Sequence, residues 1–237
     1  MPLTLATTTP GTPEIFASLQ GEGPSAGRPS VFVRLSNCNL ACVWCDTAYT
    51  WKFSGPGAFE RKAEQIVLSE AEAATHILAF NGNRLVVTGG EPLLQGPALA
   101  KLLALLPDMH IEIETNGTVA PPTALDALVH QYNVSPKLAH SGNPTERALI
   151  PQRLAAFAAE PRAFFKFVVA TPGDVAEVLA LAKTYAIPRE RLCVMPEGTD
   201  SATLRTRSRW LAEICADKGL RLSDRLHIHL YGDTRGT

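Results

Sequence analysis

The sequence predicts an α/β fold in which parallel strands alternate with helices. Three observations lead there. From Arg84 onward, short β-type runs alternate with segments of helical length, and strands separated in this way pair in parallel through right-handed crossovers. Several runs carry polar residues two apart among apolar ones, as strands do with one face on a helix layer and the other on a polar interior. A loop with three cysteines follows directly on the run VFVRL. About six or seven such units suit a barrel or partial barrel, although alternation alone also allows an open sheet.

VFVRL (31–35) reads as the first strand. Ser69 and Glu72 have the spacing of a capping box, so a helix is expected from Glu70 towards Phe80. RLVVT (84–88) is the next strand and PALAKLLALL its helix; HIEIE (110–114) precedes the helical pattern PPTALDALVH, and YNVS follows. FFKFVVA precedes DVAEVLALAKTYA, and RLCVM precedes SATLRTRSRWLAEICADKG. RLHIHL reads as the closing strand. The period-two polar residues are Arg34, Glu112, Glu114, Lys166, His227 and His229. Burying such charges without partners costs several kcal/mol each, so an interior lined by them should hold polar ligands. Edge or antiparallel strands with a solvated face would show the same pattern.

The chain of 237 residues shows no low-complexity segment and no interdomain linker, and a single domain over 1–237 is expected. Lys and Arg total 22 against 23 Asp and Glu, a net charge of -1. That balance offers no field to attract nucleic acid or an anionic membrane, so the expected partner is small. No basic stretch leads into an apolar run at the amino terminus, and no run of about 18 apolar residues occurs, which reads as a soluble cytoplasmic protein. Five cysteines, unevenly spaced, argue for reduced thiols over a disulfide framework.

Three of those cysteines, Cys38, Cys42 and Cys45, stand in SNCNLACVWCD. A structural zinc site needs four ligands, and the fourth would come from a distant residue such as His76 or His110. A redox pair at Cys42 and Cys45 leaves Cys38 without a role. Three thiolates can instead hold three irons of a cubane cluster and leave the fourth iron open to a non-protein ligand. Cys193, in an apolar strand, and Cys215, in a helical segment, read as small buried hydrophobes.

The cysteine spacing, with Trp44 before the last cysteine, resembles the signature loop of the radical S-adenosylmethionine superfamily, and VVTGGEP (86–92) resembles its second landmark. The stretch IFASLQGEGPSAGRPSVFVRLSNCNLACVWCDT is more narrowly similar to the start of the 7-carboxy-7-deazaguanine synthase family. That similarity continues through TGGEPLLQ, ETNGT, VSPK and RLHIHLYGD and is weakest between Trp51 and Asn83. It implies a partial (β/α) barrel of about six parallel strands with helices outside and the cluster loop after the first strand. It also implies a lyase that converts 6-carboxy-5,6,7,8-tetrahydropterin to 7-carboxy-7-deazaguanine with loss of ammonia. The implied cofactors are a 4Fe-4S cluster, S-adenosylmethionine and Mg2+. A homodimer is implied, as is an electron donor such as flavodoxin or ferredoxin.

Residue by residue, the resemblance implies that Cys38, Cys42 and Cys45 bind the cluster and that Thr47 binds magnesium, a hard ion that prefers oxygen. Leu19, Gln20, Gly21, Glu22, Arg34 and Thr88 match substrate contacts. The planar fork of Arg34 suits a substrate carboxylate. Trp44, Cys45, Asp46, Gly90, Glu114, Ser135, Pro136 and Lys137 match cofactor contacts, Asn116 is a weaker candidate, and Glu91 reads as structural. Two other readings share parts of the pattern: a radical S-adenosylmethionine activase working on a partner protein, and an iron-sulfur or zinc module without catalysis. The activase would not need LQGEG or Arg34, and the module would supply a fourth local ligand.

Overall fold

In the computed structural model, which describes residues 2–237, the alternation of apolar and polar residues becomes a curved sheet. Its strands are β1 (Leu3–Thr9), β2 (Thr12–Pro13), β3 (Ile15–Leu19), β4 (Pro29–Leu35), β5 (Gln65–Leu68) and β6 (Arg84–Gly89), then β7 (His110–Thr115), β8 (Gln131–Val134), β9 (Ala163–Val169), β10 (Leu192–Pro196) and β11 (Arg221–Leu222). The helices are α1 (Arg61–Glu64), α2 (Glu70–Leu78), α3 (Gly96–Leu103), α4 (Thr145–Ala148), α5 (Pro151–Ala159), α6 (Pro172–Thr184), α7 (Ser201–Lys218) and α8 (Leu226–Tyr231).

From β4 to β11 neighbouring strands pair in parallel in the order β4-β6-β7-β8-β9-β10-β11, while β3 and β1 join β4 antiparallel. The architecture is a partial barrel. No strand pairing joins β11 back to β3 among the described residues. Side-chain and backbone contacts span the gap instead: Leu226 N donates to Gly21 O at 3.0 Å, and Gly23 N donates to Ser223 Oγ at 2.7 Å.

Strand periodicity separates two environments. Val31, Val33, Leu85, Val87, Ile111, Ile113, Phe165 and Phe167 face outward and pack with Leu99, Leu102, Phe157, Val178 and Leu211 of the helix layer in one buried cluster. Residues of opposite parity face inward, where Phe16, Phe32 and Val86 form a separate small cluster. Arg34, Glu112, Glu114 and Lys166 share that interior, each with a charged partner. The register sets Arg34 beside Thr88 and Glu114 beside Asn133 on adjacent strands.

Three expectations are corrected. VFVRL lies in β4 and opens the parallel run, but three antiparallel strands precede it. PPTALDALVH forms only a 3-10 turn at Thr123–Leu125, with Pro122 at its N-cap, because little chain remains before β8. RLHIHL is not a strand: Leu226–Tyr231 is helical, with Ile228 N bonded to Arg225 O and Gly232 N to Ile228 O. Its alternation could not produce pairing, since Leu230 is exposed and β11 ends at Leu222. The expected helix at Glu70 is present, and Ser69 and Glu72 close its capping box. No helix among the described residues is long and apolar enough to cross a membrane.

Candidate active site

At the carboxyl ends of the parallel strands lies a cavity where a partial barrel gathers loops from several βα units. It is lined by Leu19, Gln20, Gly21, Glu22, Arg34 and Thr88 from the expected substrate set. Cys38, Cys42, Trp44, Cys45, Asp46, Thr47, Gly90, Glu114, Ser135 and Lys137 line it too. Pro136 is buried beside them and does not line the cavity. The expected residues that line it span 118 positions of sequence, Leu19 to Lys137.

The cysteine loop leaves β4 and is pressed against the end of β6. Gly89 has φ 135, and a Cβ there would stand 2.0 Å from the Leu35 carbonyl oxygen; at Gly90 it would stand 2.1 Å from the carbonyl oxygen of Asn37. Two glycines are required for that approach. The buried Glu91 braces the turn, accepting from Leu93 N at 3.0 Å, Asn116 N at 2.7 Å and Thr115 Oγ1 at 2.8 Å, so its role is structural. Asn116 in turn donates to Asn39 Oδ1 at 3.0 Å and approaches Cys38 Sγ at 3.9 Å.

Each sulfur receives a donor. Leu40 N lies 3.5 Å from Cys38 Sγ, Asn143 Nδ2 3.2 Å from Cys42 Sγ, and Trp51 Nε1 3.3 Å from Cys45 Sγ. Burial pushes the Cys38 thiol up to about 11 and raises that of Cys42 as well. A thiolate there needs positive charge, which iron would supply. No three His, Cys, Asp or Glu side chains among the described residues converge on one ion position. A single zinc demands such convergence, whereas in a cubane each thiolate binds its own iron. Neither His76 nor His110 lines the cavity. The donor set therefore fits an iron-sulfur cubane held at three corners.

Around the loop, the Trp44 ring stacks on His140 with centroids 5.4 Å apart, and the Lys137 ammonium lies 5.5 Å from the Trp44 ring centroid. The indole Nε1 of Trp44 is buried without a hydrogen-bond partner. Lys137 Nζ donates to Ser135 Oγ at 2.9 Å. Thr47 Oγ1 lies 3.7 Å from Cys45 Sγ. Asp46 binds Arg225; burial alone would raise its carboxyl, but the Arg225 and Arg34 charges and the Arg225 hydrogen bond together hold it below the usual range.

On the substrate side, Gln20 is engaged throughout. Its N–H donates to Arg28 O and its carbonyl accepts from Gly27 N, while Nε2 donates to Glu112 at 2.9 Å and to Glu114 at 3.3 Å. Glu114 also accepts from Thr88 Oγ1 at 2.7 Å. Glu22 is gripped by Lys166 and by Arg225 Nε at 3.0 Å. Despite its burial, those charges hold the Glu22 carboxyl far below the usual carboxylate range. Arg34 bonds Glu14 through Nε at 2.8 Å.

Several lining residues were not among the expected site residues. Lys166 and His227 carried a signal as period-two polar residues, and Arg225 opens the matched run RLHIHLYGD without an assigned role, but Glu14 and Tyr49 carried none. Asp233, the last residue of that run, also lines the cavity, as do Thr234, Arg235 and Thr237, which carried no signal. Arg235 lies 3.5 Å over the Tyr49 ring and pairs with Glu64 at 2.6 Å.

Residues 33–137 match the Radical SAM superfamily. The 7-carboxy-7-deazaguanine synthase of Pyrobaculum aerophilum is 40% identical over 225 residues, covering 94% of this chain and 95% of the relative. That of Halobacterium salinarum is 36% identical, covering 94% and 91%. The crystal structure of QueE from Escherichia coli superimposes with a TM-score of 0.66 at 26% identity, covering 94% of this chain and 95% of that one. Streptococcus suis SuiB bound to precursor peptide SuiA shares the fold alone, at TM-score 0.52 and 15% identity over 81% of this chain and 47% of SuiB. The chain belongs to the 7-carboxy-7-deazaguanine synthase family.

Proposed function

We propose that this protein is a radical S-adenosylmethionine lyase that converts 6-carboxy-5,6,7,8-tetrahydropterin to 7-carboxy-7-deazaguanine with loss of ammonia, in 7-deazapurine (queuosine) biosynthesis. The observation that carries the reading is the convergence, in one cavity, of three cysteine sulfurs that each receive an N–H donor and an arginine whose terminal nitrogens are uncommitted. When bound, the 4Fe-4S cluster and S-adenosylmethionine supply the one-electron chemistry that removes hydrogen from the substrate. Cys38, Cys42 and Cys45 hold the cluster. Trp44, Asp46, Gly90, Glu114, Ser135 and Lys137 would bind the S-adenosylmethionine, with Pro136 buried behind Ser135 and Lys137, and Thr47 would offer Mg2+ a hydroxyl, the hard oxygen donor that ion prefers.

Substrate recognition falls to Arg34 for the carboxylate and to the Leu19–Glu22 turn for the pterin edge, where the Gly21 N–H has no protein acceptor among the described residues. Thr88, whose hydroxyl donates to Glu114, completes the substrate contacts. The chain acts as one radical S-adenosylmethionine domain over 1–237, in the cytoplasm, as a homodimer reduced by a flavodoxin or ferredoxin. The test is anaerobic turnover of reconstituted protein with dithionite, S-adenosylmethionine, Mg2+ and 6-carboxy-5,6,7,8-tetrahydropterin. Product with the mass and ultraviolet spectrum of 7-carboxy-7-deazaguanine is expected. Slow release of 5'-deoxyadenosine without that product would overturn the pterin assignment and favour the activase reading.

A further inference from the structure

We propose that Glu14 and Tyr49 are positioning residues that select for a carboxylate on the substrate, by holding the Arg34 guanidinium along its Nε edge with its terminal fork turned to the cavity. The inference deepens the pterin-acid reading and rests on it. Glu14 immediately precedes β3, whose first residue, Ile15, pairs with Val33 of β4, so Glu14 lies across from Arg34. Arg34 N donates to Glu14 O at 3.0 Å, and Arg34 Nε donates to Glu14 Oε1 at 2.8 Å. The Tyr49 hydroxyl completes the site, 2.8 Å from Glu14 Oε2 and 3.1 Å from Oε1.

Which guanidinium edge is used decides the function. A guanidinium presents five N–H donors, and once Nε is engaged, the Nη1–Nη2 end still offers two parallel donors. Neither Nη of Arg34 has a hydrogen-bond partner among the described residues. The Arg34 side chain keeps 18% exposure, on the cavity, while that of Glu14 is 0% exposed. If Arg34 swung away, a fully buried carboxylate would lose its charge partner, so the arginine is tethered. Tyr49 is fixed as well, its ring covered by Arg235 at 3.5 Å. The fork is therefore preorganised for two carboxylate oxygens. A neutral carboxamide in the same place would accept one hydrogen bond and press its own N–H donors against the other nitrogen.

The test compares equilibrium binding of 6-carboxy-5,6,7,8-tetrahydropterin and its 6-carboxamide analogue to holoenzyme carrying cluster and S-adenosylmethionine. Wild type should prefer the acid. Glu14→Gln and Tyr49→Phe should weaken acid binding about tenfold or more while changing carboxamide binding less than about threefold. KM for the acid should rise more than kcat falls. Arg34→Lys, which keeps the charge and loses the fork, should lose the preference in the same way. Tyr49→Phe keeps the ring under Arg235 and removes one hydroxyl, so it guards against a folding artefact, with iron and sulfide content and S-adenosylmethionine binding as controls. Equal weakening of both ligands, or an unchanged preference in both variants, would reduce Glu14 and Tyr49 to a structural bridge and overturn the proposal. Failure of wild type itself to bind the acid would instead sink the pterin reading, and this inference with it.

Discussion

Cys42 and Cys193 carry the same thiol in different surroundings. Cys42 faces the cavity and receives Asn143 Nδ2 at 3.2 Å, whereas Cys193 is 0% exposed inside β10. Cys42→Ala should therefore abolish the iron-sulfur absorbance and all turnover, while Cys193→Ala should retain both and lose only about 1–2 kcal/mol of stability. Iron and sulfide analysis of the two variants checks this, and equal loss in both would show the ligand set to be wrong. A second prediction concerns Gly21, where an added Cβ would stand 2.2 Å from His227 Nδ1 and 3.0 Å from its backbone nitrogen. Gly21→Ala must push α8 away from the turn, at a cost of about 1–3 kcal/mol, and should raise KM for the pterin while cluster loading is kept. At Gly27 no atom lies within 4 Å of an added Cβ, so Gly27→Ala should cost only the strain of its φ of +85, about 1–2 kcal/mol, with KM unchanged.

At the scale of elements, local chemistry decides some pieces and tertiary contacts decide others. Helix α2 is set locally: Glu72 N donates to Ser69 Oγ at 3.2 Å, and Ser69 N donates to Glu72 Oε2 at 2.8 Å. Ser69→Ala should lower the urea midpoint by the equivalent of about 1 kcal/mol and leave KM and cluster content alone, because α2 lies in the outer layer. Element α8 is decided by its neighbours. RLHIHL has strand-like alternation, yet Leu226 N is taken by Gly21 O and Arg225 is held by Glu22, Asp46 and the Gly198 carbonyl, which leaves no edge for it to pair with. PPTALDALVH has helical spacing of its apolar residues, and Leu125 and Val129 are indeed buried, but the short run of chain before β8 stops it at a turn.

For the whole molecule, an ionic network links parts of the chain that lie far apart in sequence. Glu22 follows β3, Lys166 stands in β9, Asp46 follows the cysteine loop, and Arg225 lies between β11 and α8. These contacts stand where strand pairing stops, so they hold the barrel's open side together. Glu22→Gln should destabilise the fold by about 3 kcal/mol, since Lys166 and Arg225 would lose a buried partner. The sign with pH follows from the direction of the shift. The Glu22 carboxyl titrates below its ordinary 4.5 in the folded chain, so its stabilisation is complete above that value and is lost as pH falls below it. The stability gap between wild type and Glu22→Gln, read from denaturant melts, should stay constant from about pH 8 to about pH 5 and narrow at lower pH. A gap that widened on acidification would show that the network does not hold Glu22 ionised.

The amino-acid sequence alone determined the α/β class, the inward and outward faces of the strands, the capped helix at Glu70 and the cysteine loop. Each depends on spacings of a few residues: period two along strands, three positions across a capping box, four and three positions from one cysteine to the next. Of the site residues that the family resemblance named through short motifs, all but Pro136 line the cavity. Tertiary structure alone decided that Glu14, held in turn by Tyr49, grips Arg34, that Arg225 ties Glu22 to Asp46, that RLHIHL is helical, and that Arg235 lies over the Tyr49 ring. Those contacts join residues from 20 to 203 positions apart, Glu14 to Arg34 and Glu22 to Arg225. No local pattern encodes such pairs, because a buried charge finds its partner only after packing has brought the strands together.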